Sequence, residues 1–356
     1  MKKFDVDKYR RKNPAPPFPA DGNFRGAVII PAYDELADIG RTLDSLQAAF
    51  VHSPYPVTAA VVINHPPGAD TAQSEKLHQL IDAGTWQNVS AIRLPDNPGG
   101  VGAARKAGMD AFIHRIAPED MEKSVIFSLD ADTVIEEDYF SVLFPEILTG
   151  GAISIPFSHQ QGATPQLQQA IDRYEAYMAR YVQKLSVAGS PYAFHTIGSA
   201  FAVRADVYVR SGGMRQKQAG EDFYFLQAVA KSFPVKELPE KLVHPSGRIS
   251  QRVPFGTGRA VENLLNGGAL PEIPNEPFAV LKQLLEHAHS GNPDFFAELP
   301  QEAKQFLEMN QFQKNWNNIV KNTPQNQLPA AFDRWFDGLQ TLRFLHFLQE
   351  KTNDPS

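Results

Sequence analysis

Between Gly26 and Leu129, short apolar runs alternate with longer stretches whose apolar residues recur at helical spacing. This alternation constrains the fold more than any other feature of the chain. The runs Ala27-Val28-Ile29-Ile30-Pro31, Val57–Asn64, Val89–Leu94 and residues 124–129 are short and apolar throughout. They read as strands buried on both faces. Between them, Leu36, Ile39, Leu43, Leu46 and Phe50 fall on one helical face, with Asp34 placed to cap it. Residues 70–83 carry a second helical pattern with Leu77, Leu80 and Ile81 inward, and residues 102–115 a third. This order predicts an α/β fold: a Rossmann-like, mostly parallel sheet with helices on both faces.

The pattern loosens beyond residue 135. Residues 152–157 and 197–203 read as further strands, and residues 221–231 as a short helix. A long helix is expected over Pro165–Val187, with Leu167, Ile171, Tyr174, Met178, Tyr181 and Leu185 in one stripe. From about Gly267 the chain is rich in Phe, Asn, Gln and Pro, and helical patterns dominate. Residues 1–25 are charged and Pro-rich and predict an arm with little regular structure. The expected organisation is therefore an arm (1–25), an α/β domain (26–265) and an accessory helical region (266–356). The C-terminal apolar stripe from Phe332 to Gln349 predicts a helix packed on the domain. Contact with a membrane surface or a second subunit is the sharper alternative, so a homo-oligomer stays open.

Composition narrows the chemistry. The chain has no cysteine, which removes disulfides, thiolate catalysis and cysteine zinc sites. Its net charge of −6 argues against a nucleic-acid partner. No apolar run is long enough for a transmembrane segment, and no apolar signal segment follows the basic N-terminus. A cytoplasmic location is the expectation.

Four motifs carry the chemistry. Phe127-Ser128-Leu129 leads directly into Asp130-Ala131-Asp132. Paired carboxylates beyond the carboxyl end of a parallel strand sit where such sheets bind ligands. Their hard oxygens suit Mg²⁺ or Mn²⁺ bridging substrate phosphates; a solvated surface turn is the bland alternative. The run from Asp96-Asn97-Pro98-Gly99-Gly100 to Gly102 and Arg105-Lys106 places glycines at a helix N-terminus, where phosphates bind. It departs from the dinucleotide fingerprint, because Arg105 stands at the third glycine and the loop follows the third strand. Gly220-Glu221-Asp222 opens a helical pattern, so one carboxylate is a helix cap or a general base. His244-Pro245-Ser246-Gly247-Arg248, Arg252 and the Gly/Arg-rich run to Arg259 suit closure over a diphosphate.

Together these motifs resemble, in order and spacing, those of family 2 glycosyltransferases over roughly residues 26–260. The resemblance implies a GT-A fold, with a nucleotide-binding half near 26–135 and an acceptor half near 136–265. It implies a metal-dependent transferase that moves a sugar from a UDP- or GDP-sugar donor to a hydroxyl of a carbohydrate or small-molecule acceptor, with inversion. By the same resemblance, Ala32, Tyr33 and Glu35 line the nucleoside pocket, and Asn97, Gly102 and Arg105 belong to the donor site. Asp130 contacts ribose or metal, Ala131 lies between, and Asp132 holds the metal with His244. Asp222, or else Glu221, is the base, and Arg248 and Arg252 contact phosphate. Two departures matter. Asp34 replaces the usual Asn after Ala-Tyr. The second strand ends in Asn64-His65-Pro66-Pro67-Gly68-Ala69-Asp70 in place of an Asp-Asp-Gly-Ser turn, so Asn64 or Asp70 takes over base reading. A retaining transferase, a nucleotidyltransferase and a catalytically silent nucleotide- or glycan-binding protein on the same fold are the rival readings.

Overall fold

The computed structural model describes residues 5–216, 220–249 and 256–353, with side chains through Lys351. Arg252, expected at the phosphates, lies outside the described residues. The chain forms two compact units. The first comprises Met1–Ile171 and His195–Asn266, the second Asp172–Phe194 and Gly267–Ser356.

The first unit is built on β1 (Gly26–Ala32), β2 (Val57–Asn64), β3 (Val89–Leu94), β4 (Val125–Ser128), β5 (Val134–Ile135), β6 (Ala152–Ser154), β7 (Phe201–Arg204), β8 (Lys236–Glu237) and β9 (Val243–His244). Seven of these form one sheet in the order β3-β2-β1-β4-β7-β6-β8, and β5 pairs with β9 in a separate ribbon. The pairs β1–β2, β2–β3, β1–β4 and β6–β8 are parallel. Strand β7 runs antiparallel to both neighbours. Every residue of β1 and β2 is buried, as strands covered on both faces must be. Helix Gly100–Arg115 lies close on these strands. A Cβ on Gly108 would stand 2.6 Å from Ile29 Cγ2 and 2.7 Å from Val62 Cγ2, so only glycine permits the approach. The chain order reverses between β1 and β4, which opens a crevice at their carboxyl ends.

Three expectations are corrected. The helix after β1 is Ile39–Val51, so Leu36 precedes it and Asp34 does not cap it. Asp34 takes φ +55°, and the chain turns through residues 34–38 before the helix begins. Leu80 is 39% exposed, so only Leu77 and Ile81 of its helix face inward. The N-terminal arm contains helix Val6–Lys12, capped by Asp5 accepting from Lys8 N at 2.9 Å. Tertiary contacts create this helix: Tyr9 donates to the buried Asp110 at 2.7 Å, and Arg10 donates to the Ile113 and Ile116 carbonyls.

The second unit is helical, and its core is aromatic. Phe295, Phe312, Trp316, Phe332, Phe336 and Phe344 are all at most 2% exposed. Phe312 stacks on Trp316 at 5.5 Å and Phe332 on Phe336 at 5.4 Å. The C-terminal stripe is two helices, Leu328–Trp335 and Gly338–Asn353. Asp337 separates them, and its carboxylate accepts from Leu339 N and Gln340 N. Phe332, Phe336, Phe344, Leu345 and Leu348 all belong to this core, so the stripe is packing surface. Among the described residues no helix is long and apolar enough to cross a membrane.

Candidate active site

The carboxyl end of β4 is organised by one buried arginine. Arg105, on the second turn of its helix, is 2% exposed. Its Nη1 donates to Ser128 Oγ at 2.7 Å and to the Gly198 carbonyl at 2.9 Å. Its Nη2 donates to Asp130 Oδ1 at 2.9 Å, and its Nε to Glu221 Oε1 at 3.2 Å. Burial works against its charge, but Asp130 and Glu221 hold it above the ordinary arginine range. Its fork is spent inward, because an unpaired buried guanidinium is costly.

That arginine joins two motifs that are distant in sequence. Glu221 is buried and opens helix Glu221–Ala230. Its Oε1 pairs with Arg105 Nε at 3.2 Å. Asp222, half-buried beside it, accepts from Phe223 N at 2.7 Å. Burial and the adjacent Glu221 push the Asp222 carboxyl up to about 7, against the pull of Phe223 N–H and Arg105. A carboxylate poised there near neutral pH has the property a general base needs.

Asp132 belongs to a second charge cluster. Its Oδ2 lies 3.0 Å from Arg248 Nη2. The same guanidinium donates to both Glu35 oxygens, at 2.9 and 2.6 Å, and to Asp38. Burial and Asp130 push the Asp132 carboxyl up to about 7, with Arg248 opposing and Glu35 and Asp38 reinforcing. The turn after β1 thus supplies carboxylates that meet the one after β4. Asp38 does not cap its helix through its side chain because it is turned to Arg248.

The β5–β9 ribbon sets His244 opposite Val134. Gln160 Nε2 ties the two segments together, donating to the carbonyls of Asp132 at 2.7 Å and His244 at 2.8 Å. Arg41 donates to Gln160 Oε1 at 2.6 Å, and Thr42 donates to the Ala131 carbonyl at 2.9 Å. His244 Nε2 meets Glu136 at 2.8 Å and its Nδ1 meets Ser158.

Ala32 and Asn64 close the adjacent strands β1 and β2, and both are buried. Tyr33 follows with 37% exposure. Asp70 is exposed and accepts from Ala72 N at 2.9 Å, starting the next helix. Asn97 is buried and folds its own loop, accepting from Gly99 N at 3.0 Å and donating to the Gly100 carbonyl at 2.9 Å. Gly102 lies on the first turn of the following helix.

Ser128, Gly198, Asp38 and Gln160 were not singled out from sequence. Ser128 carried a signal, a hydroxyl in an otherwise apolar strand; Gly198 and Gln160 carried none. Among the described residues, no three His, Asp or Glu side chains converge as a metal cage. A Mg²⁺-type ion needs only one or two protein carboxylates where substrate phosphates complete its shell. The hard oxygens of Asp130 and Asp132 fit that case.

The family model described as Glycosyl transferase family 2 matches residues 27–210. No curated protein sequence matches the chain. Several solved structures are similar at a distance. S. aureus TarS 1-349 in complex with UDP-GlcNAc is 13% identical, with 80% of this chain and 85% of that chain covered and a TM-score of 0.47. The mannosyltransferase PcManGT from Pyrobaculum calidifontis, in complex with GDP-Man and Mn2+, is 16% identical over 93% of this chain and 92% of that one, at 0.44. Glucosyl-3-phosphoglycerate synthase from Mycobacterium tuberculosis, with Mn2+ and UDP-Glc, is 11% identical over 77% and 87%, at 0.42.

Proposed function

This chain belongs to glycosyl transferase family 2, and we propose that it transfers a sugar from a UDP- or GDP-sugar to an acceptor hydroxyl by one in-line displacement. The observation that carries the proposal is the placement of Asp222, next to the Glu221–Arg105 pair whose other branch holds Asp130. A base there takes the acceptor proton as its oxygen attacks the anomeric carbon. Attack opposite the leaving diphosphate inverts that carbon.

The donor half is assigned to residues 26–135 and the acceptor half to residues 136–265. Asn64 is favoured over Asp70 for reading the base, since Asp70 is occupied in starting its helix. Ala32 and Tyr33 flank the nucleoside, and Glu35 acts through Arg248. Arg248 is the cation at the diphosphate, able to leave its carboxylates for phosphate oxygens. A divalent cation, Mg²⁺ or Mn²⁺, held by Asp132 and Asp130, would neutralise charge developing on the leaving diphosphate.

The test is nucleotide release from a panel of UDP- and GDP-hexoses with Mn²⁺, using wild type and Asp222→Asn. Turnover by wild type, with loss in the variant at unchanged nucleotide affinity, supports the assignment. Equal turnover in both removes Asp222 from the role.

A further inference from the structure

Arg105 touches four separate segments through one side chain: Ser128 on β4, Asp130 beyond it, the Gly198 carbonyl and Glu221 at the head of the base-bearing helix. Two of these contacts meet carboxylates next to the residues assigned to chemistry. Asp130 belongs to the donor side, and Glu221 immediately precedes Asp222. Resting on the proposed function, we infer that Arg105 is a positioning residue that sets the donor carboxylate and the base in register with each other. It touches no substrate itself.

Three features support this over a simple stabilising role. The first is geometry. Lys has one point charge, whereas the guanidinium fork presents donors in fixed directions, and here Nε, Nη1 and Nη2 are each assigned to a different partner. Ser128 also donates to the Gly198 carbonyl at 2.7 Å, so the fork sits in a closed set of hydrogen bonds. The second is space. A Cβ on Gly198 would stand 2.5 Å from Arg105 Nη2 and 3.2 Å from its Cζ. The wall opposite the fork is therefore bare backbone, and any side chain there displaces the fork. The third is asymmetry of exposure. The Asp130 side chain is 39% exposed, while Arg105 and Glu221 are 2% and 5% exposed. The buried end anchors the pair, and Asp130 is its accessible end.

Two variants test the inference. Arg105→Lys keeps the charge and loses the fork. Gly198→Ala keeps the arginine and shifts it. Each is compared with wild type by kcat and KM for the best hexose donor of the panel, by UDP and GDP affinity, by Tm and by crystal structure. The expected result is a kcat fall of about 100-fold in Arg105→Lys and at least about 10-fold in Gly198→Ala, since a misplacement near 1 Å costs on that order. Nucleotide affinity without added metal stays within about 3-fold, and the crystal structure of Arg105→Lys shows the Asp130 carboxylate turned from its present place. Turnover within about 3-fold of wild type in both variants overturns the inference. So does a parallel loss of kcat, nucleotide affinity and Tm, which marks a purely structural residue. A wild type that turns over no donor defeats the proposed function alone; the position of Asp130 in the Arg105→Lys crystal then decides for or against Arg105.

Discussion

Arg248 Nη2 lies 3.0 Å from Asp132 Oδ2 and also meets Glu35, so one guanidinium ties the turn after β1 to the turn after β4. These are the two strand ends between which a donor would sit. The guanidinium also reaches Asp38, so three carboxylates meet on it. Their oxygens are the hard ligands that a divalent cation takes.

Removing Arg248 is expected to weaken donor binding. In Arg248→Gln the carboxylates of Glu35, Asp38 and Asp132 lose the guanidinium they share, and the proposed phosphate contact goes with it. UDP or GDP affinity with Mn²⁺ should fall at least ~10-fold, the scale of a lost charge-assisted pair. Isothermal titration checks it; unchanged affinity removes Arg248 from the donor site.

The pH dependence follows from Asp222, whose carboxyl is raised to about 7. As a base it works only when ionised, so kcat/KM should rise with pH through about 7 and level off above. The stability effect has the opposite sign. The folded state holds this proton more tightly than the unfolded chain, where the carboxyl is ordinary, so the unfolded state binds fewer protons. Asp222 therefore favours folding most below its ordinary range and loses that contribution as pH rises toward 7. Thermal melts of wild type and Asp222→Asn between pH 5 and 8 should show the variant gaining relative to wild type as pH rises. A constant difference across that range contradicts the shifted carboxyl.

The alternation of apolar runs made the sheet readable, and β2, β3 and the long helix Pro165–Val187 have the bounds expected from it. Such patterns report burial of a segment, not which partner buries it. For that reason the residues from Asp172 onward in the long helix gave no sign that they belong with the C-terminal helices. The same limit applies at the site. Asp130, Asp132, Glu221 and Asp222 stood out as carboxylate pairs at a strand end and a helix start, whose order matched that of the other motifs. Arg105 was legible as a cation but not as a buried one, since its partners lie 23 to 116 residues away. His244 stood out for its chemistry, yet ribbon pairing brings it to Glu136. The helix at Val6–Lys12 depends on Tyr9 reaching Asp110, a contact between residues 101 positions apart.

That N-terminal contact has its own test. Tyr9 and Tyr208 both donate to Asp110 Oδ1, at 2.7 and 2.9 Å, and Lys106 pairs with Oδ2 at 2.5 Å. Tyr9→Phe should cost about 1 kcal/mol, one hydrogen bond. Asp110→Ala should cost more, about 3 kcal/mol, because Tyr9, Tyr208 and Lys106 all lose the buried carboxylate they share. Urea unfolding measures both; equal losses contradict the shared-acceptor arrangement.

In the second unit, Phe332 is fully buried against Phe295, Trp316 and Phe336. Phe332→Ala should destabilise that unit by about 3–5 kcal/mol, the usual cost of emptying an aromatic core site. Tryptophan fluorescence during denaturation follows it directly through Trp316 and Trp335. An unchanged midpoint would show that the ring lies outside a cooperative core.

Sugar transfer followed with Asp222 intact and with Asp222→Asn, at equal nucleotide saturation, isolates the base. Wild type should release nucleotide from at least one UDP- or GDP-hexose, with inverted product configuration by NMR. Asp222→Asn should lose about 10²–10⁴-fold in rate with nucleotide affinity preserved. Full turnover in Asp222→Asn, or a product that retains the donor's anomeric configuration, would contradict that role.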